Sequence, residues 1–158
     1  MLHAPAGDTW VGLCPEPLPL AAVAGWATGP AWGAQVLFTG TVRDSAAGRP
    51  GVSALEYEAY AEHVEPRLAA VAAEARNRWP GVGRLAILHR SGVLGVGEAA
   101  VVVAVASGHR TEAFEAARHC IDTVKATAPI WKRETWEGGS DWGLTAEATT
   151  SIAQGAAP

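Results

Sequence analysis

Residues 99–106 (AAVVVAVA) form the longest apolar run in the chain, eight positions of alanine and valine uninterrupted by glycine, proline or a polar side chain. Four are valine, whose β-branched side chain favours extended backbone. The run is far too short to span a bilayer, which takes about 20 residues as a helix. It must therefore be a central strand, and the remaining chain has to supply its sheet neighbours. With 158 residues a single domain, 1–158, is expected, large enough to bury a core without disulfide or metal staples.

The neighbours of that strand can be read from hydrophobic period. Residues 35–43 (QVLFTGTVR) are rich in β-formers, and 83–90 (GRLAILHR) read as another strand. Residues 52–60 (VSALEYEAY) alternate, with Leu55, Tyr57 and Ala59 on one side and Glu56 and Glu58 on the other. Helical period replaces alternation at Val64, Leu68, Val71, Ala72, Ala75 and Trp79, closed by Pro80-Gly81. A second helix is expected from Arg110 to about Ala126, with Phe114, Ala117, Ile121 and Val124 as its buried stripe, ended by Ala128-Pro129. Residues 130–136 (IWKRETW) make a last strand, and a short helix is expected at 18–26. Residues 44–51 (DSAAGRPG) are rich in turn formers and expected to be mobile, and the glycines of SGVLGVGE read as turn glycines. The ends, 1–17 and 143–158, are rich in Ala, Gly, Thr and Pro and are expected to fray, leaving a core of about 18–137. The order β-β-α-β-β-α-β, with adjacent strand pairs and two main helices, predicts an α+β fold with a mostly antiparallel sheet.

Charge narrows the chemistry. The net charge of −4 argues against a nucleic-acid partner, and no membrane segment is evident. Cys14 and Cys120 lie far apart, which suits a reducing, cytoplasmic setting without a disulfide framework. The chain has ten arginines but only two lysines, Lys125 and Lys132, and these lie within eight residues of each other. Residues 109–133 hold five basic against three acidic side chains, a cationic segment in an acidic protein. That pattern suits a small anionic ligand better than a polymer. His109 and Arg110 stand where a strand passes into a helix, a place whose free N–H groups attract anions; pairing of Arg110 with Glu112 or Glu115 is the plainer alternative. Lys125, Lys132 and Arg133 surround the Pro129 turn, and Arg43 ends a strand just before the loop at 44–51. The five histidines have no metal-binding spacing, so no metal and no cofactor is expected. His89 and His119 read as structural, Cys120 as core, and Trp131 as packing that could also line a flat pocket.

Taken together, FTGTVRD (38–44), LEYEAY (55–60), HRSGVLGVGEAAVVVAVASGHR (89–110) and AFEAARHCIDTVKATAPIWKRE (113–134) resemble the large subunit of molybdopterin synthases. The likeness runs in order through residues 33–137. It implies an α/β-hammerhead fold and a homodimer that forms a heterotetramer with a small ubiquitin-like sulfur-carrier subunit. That subunit's Gly-Gly C-terminus carries a thiocarboxylate, whose sulfur goes to cyclic pyranopterin monophosphate to build the dithiolene of molybdopterin. Position by position, the resemblance makes Lys125 and Lys132 catalytic. It assigns Arg43, His109, Arg110, Arg133 and Glu134 to substrate binding. The family's basic C-terminal stretch has no counterpart here, because Trp142 is followed by GLTAEATTSIAQGAAP. Two other classes fit the residues alone: a binding module that holds a phosphorylated ligand or a ubiquitin-like tail, and a Schiff-base enzyme using Lys125.

Overall fold

The computed structural model describes residues 1–46 and 49–143. In chain order the elements are β1 (Thr9–Cys14), α1 (Leu20–Ala27), β2 (Ala34–Thr41), β3 (Ser45–Ala46), β4 (Arg49–Pro50), β5 (Val52–Ala59), α2 (Ala61–Arg78), β6 (Val82–Arg90), β7 (Gly92–Gly95), β8 (Ala99–Ser107), α3 (Arg110–Thr127), β9 (Ile130–Trp136) and β10 (Gly139–Gly143). The architecture is α+β, with three helices on two mostly antiparallel four-stranded sheets.

The first sheet has the order β1-β6-β8-β2 and the second β10-β9-β5-β7. The valine run lies inside the first sheet as β8, hydrogen-bonded to β6 on one side and β2 on the other. A strand with apolar residues on both faces needs cover on both. On one face, Val101, Val103 and Val105 meet Leu68, Val71 and Ala75 of α2 and Ala117, Cys120 and Ile121 of α3. On the other, Val102 and Ala104 pack with Val23 and Ala27 of α1 and with Trp10. A third cluster joins the two sheets through Val42, Val52, Leu55, Leu94 and Ala100. Helix α3 starts at Arg110 as expected. Helix α2 starts at Ala61 and carries Pro66 in its second turn.

Three elements differ from expectation. The N-terminal segment was expected to fray, yet Thr9–Cys14 is a strand pairing parallel with β6, Thr9 opposite Leu85 through Cys14 opposite Arg90. Its alternation puts Trp10 (3% exposed) and Cys14 into the core, and burial of an indole outweighs the loop-like composition around it. Part of SGVLGVGE is strand β7, paired with β5 and followed by a turn at Gly97, whose φ of 86° suits glycine. Residues 139–143 pair with β9 as β10, so Gly143 is in a strand. The rest of the C-terminal segment expected to fray, 144–158, lies outside the described residues. In the loop at 44–51, Ser45–Ala46 pair with Arg49–Pro50, while the mobility expected at 47–48 lies outside the described residues.

Among the described residues no helix is long and apolar enough to cross a membrane, and no group of three or more His, Cys, Asp or Glu could hold a metal ion.

Candidate functional site

Where the two sheets meet the C-terminal end of α3, they enclose a cavity of about 390 Å³. Strand alternation decides which side chains reach it. In β9, Lys132 and Glu134 face inward. In register with them on β5 stand Tyr57, opposite Lys132, and Leu55, opposite Glu134. The residues between point to the other face, where Arg133 pairs with Glu56 and lies 5.5 Å from the Trp142 ring centroid. Lys125 enters from the last turn of α3, where a cation also suits the carbonyl end of the helix. Arg43 enters after β2, whose register shifts between Gly40 and Thr41. Such an irregularity redirects the following side chains.

The structure thus brings together four of the residues singled out from sequence: Arg43, Lys125, Lys132 and Glu134. Lys132 Nζ is 3.2 Å from Glu134 Oε1, and Glu134 is buried. Neither Arg43 nor Lys125 has a carboxylate partner among the described residues, so both charges are open to an anionic ligand. The cavity does not include Arg133, His109 or Arg110. The last two are exposed at the N-terminal end of α3, roughly 25 Å from Lys125 by the rise of an α-helix. The carboxylates considered as partners for Arg110 are engaged elsewhere: Glu112 accepts from Ser107 Oγ at 2.9 Å and Glu115 from Trp79 Nε1 at 2.9 Å.

Two further groups line the cavity, neither expected there from sequence. Tyr57 was legible only as one of an alternating set. His89, read from sequence as structural, is the penultimate residue of β6. Their rings meet edge to face, centroids 5.1 Å apart and planes at 75°. Burial, and then the negative charge of Glu134, raises the Tyr57 pKa, so the phenol stays protonated. His89 is 7% exposed, and its Nδ1 is 2.7 Å from the Arg90 carbonyl oxygen. Burial pushes its pKa down to about 4, against the opposing pull of that hydrogen bond.

This has a consequence for stability. With a folded-state pKa of about 4 and an ordinary value near 6.5, the unfolded chain takes up a proton first as pH falls. Stability is therefore full above about pH 6.5 and decreases as pH drops towards 4, by about 3 kcal/mol in all. Thermal midpoints measured from pH 7 to 4.5 should fall more steeply for the native chain than for His89→Asn. Parallel curves would show that His89 is not held neutral.

A profile of the family described as "MoaE protein" matches residues 13–127. The chain is 40% identical over 137 residues to the molybdopterin synthase catalytic subunit of Taeniopygia guttata, covering 87% of this chain and 88% of that one. It is 48% identical over 110 residues to the protein of the same name from Bacillus subtilis, covering 70% and 69%. The crystal structure of molybdopterin synthase from Staphylococcus aureus superposes with a TM-score of 0.78 at 36% identity, covering 89% of this chain and 98% of that chain.

Proposed function

The chain belongs to the MoaE protein family, and we propose that its cavity is where sulfur passes from a partner's C-terminal thiocarboxylate to cyclic pyranopterin monophosphate. The chain acts as the catalytic subunit of a molybdopterin synthase, in molybdenum cofactor biosynthesis. The observation that carries the sulfur-transfer reading is the convergence of Arg43, Lys125 and Lys132 on one cavity from three different elements. Both reactants are anionic, and opening a cyclic phosphate ester develops further charge on oxygen. Fixed cations stabilise that charge where water is largely displaced. Glu134 beside Lys132 fixes the ammonium in place and gives it a carboxylate with which to share a proton. The name "catalytic subunit" borne by the relatives implies a second subunit, and the ubiquitin-like sulfur carrier is the partner that fits.

His109 and Arg110 enter this reading through the homodimer. They cannot reach a small substrate held at Lys125 of their own chain, because the length of α3 separates them. If they hold the phosphate, they do so in the cavity of the other copy. A complementation experiment tests this. Lys132→Ala and Arg110→Ala, each impaired alone, should regain activity when mixed and allowed to exchange subunits, since one cavity of the mixed dimer is then intact. Absence of recovery despite exchange would confine the site to one chain.

The decisive assay combines the purified chain with thiocarboxylated small subunit and cyclic pyranopterin monophosphate, and follows molybdopterin through the fluorescence of its oxidised form. Product is expected. A stable complex with the small subunit but no product would sink the sulfur-transfer reading in favour of a binding module.

A further inference from the structure

The polar lining of the cavity is uneven. Its cations, Arg43, Lys125 and Lys132, offer only donors and the Glu134 carboxylate faces one of them at 3.2 Å, while Thr41, Ser45 and Tyr57 add hydroxyls. An occupant with only anionic groups would need nothing more. A phosphorylated heterocycle also carries N–H groups, which need an acceptor away from the cations. A donor or acceptor left without a partner in the cavity weakens binding, so the floor of the site should supply an acceptor.

His89 has the geometry for it. Its Nδ1 lies 2.7 Å from the Arg90 carbonyl oxygen, and a carbonyl can only accept, so Nδ1 carries the ring's proton. A neutral imidazole has one such proton, which leaves Nε2 as a lone-pair acceptor. Burial keeps the ring neutral at physiological pH. No hydrogen bond from the described residues satisfies Nε2, and His89 lines the cavity. Tyr57 packs edge to face against the ring at 75°.

We propose that His89 is a substrate-binding residue whose Nε2 accepts a hydrogen bond from an N–H of the pterin ring. The inference rests on the sulfur-transfer reading above and specifies the orientation of the substrate within it. A lone pair repels phosphate and attracts N–H, so the heterocycle goes to the floor at His89 and Tyr57. The phosphate then lies towards Arg43 and the lysines, where the sulfur donor also has to arrive.

Two variants separate this role from a structural one. The amide of asparagine overlays Nδ1 and keeps the bond to the Arg90 carbonyl, but removes the acceptor at Nε2. The longer amide of glutamine reaches the Nε2 position. In the assembled enzyme, His89→Asn should raise KM for cyclic pyranopterin monophosphate about tenfold, the cost of one neutral hydrogen bond. The value of kcat and the small-subunit Kd should each stay within about twofold, and His89→Gln should recover most of the loss. In histidine labelled with ¹⁵N, the unprotonated Nε2 resonance of His89 should shift when the pterin is added to the native enzyme. The proposal is overturned by native-like KM in His89→Asn, by equal damage in both variants tracking a lower thermal midpoint, or by a change in small-subunit Kd instead of KM. A native enzyme that makes no product at all would overturn the functional reading itself, and this inference with it. Active native enzyme with unaffected variants would overturn the His89 role alone.

Discussion

Lys132→Ala should lower kcat about a hundredfold or more, by far more than any accompanying loss of stability accounts for. Removing one preorganised donor to developing charge typically costs that much, and here the loss is compounded. The ammonium lies 3.2 Å from Glu134, a buried carboxylate. Deleting it removes a cation from the substrate and alters the balance of charge around Glu134. The strand pairing of β9 with β5 and β10 uses backbone groups and does not depend on the lysine side chain, so the variant is expected to fold. Lys125→Ala should be milder in KM and still severe in kcat, because its exposed side chain has no carboxylate to leave behind. Steady-state kinetics alongside far-UV circular dichroism would measure both effects. Retention of more than about a tenth of native kcat in a folded Lys132→Ala protein would remove this lysine from the machinery.

The second large effect concerns stability. Glu98→Ala should destabilise the fold, and by more than Arg90→Leu does. The Arg90 side chain is only 8% exposed, with Nη1 3.0 Å from Glu98 Oε1 and Nη2 3.3 Å from the Pro15 carbonyl oxygen. Its Nε is buried without a partner, so the guanidinium is already short of acceptors. Taking away the carboxylate strands a buried charge, which costs more than removing both charges together. Glu98 also accepts the Gly95 N–H at 2.6 Å, which closes the turn between β7 and β8. That bond and the Arg90 cation hold the Glu98 pKa low. Chemical denaturation of the two single variants and the double variant Arg90→Leu/Glu98→Ala would measure the coupling. A double variant as unstable as the sum of the singles would show that the two charges stand independently. Because Arg90 directly follows His89 and its carbonyl holds Nδ1, any loosening here should also be visible at the floor of the cavity.

Much of this protein is determined by local sequence. The valine run dictated a buried central strand, since no other structure of that length can hide it. The period of 64–79 and 110–126 dictated two amphipathic helices, although Phe114, expected in the buried stripe, is 63% exposed, and the alternation of VSALEYEA and IWKRETW dictated which residues share a face. That last point already separates Lys132 and Glu134 from Arg133, because a strand's side chains alternate at period two. Grouping all three cations around the Pro129 turn by closeness in sequence missed it. The chemical character of the site was also legible, because only two lysines exist and both fall in one cationic segment.

What the tertiary structure decided were the partnerships between distant segments. Strand β1 looks like a loop until β6, over 70 residues later, offers it a parallel edge and a slot for Trp10. Parallel pairing leaves no hairpin signal to read. His89 and Tyr57 become a pair only when the two sheets close on each other, and burial then makes the histidine a neutral acceptor. His109 and Arg110 join the same helix as Lys125 yet stand at its far end. Local composition fixes which side chains are cations, but their separation is a matter of helix length and sheet packing. Only folding converts one into the other.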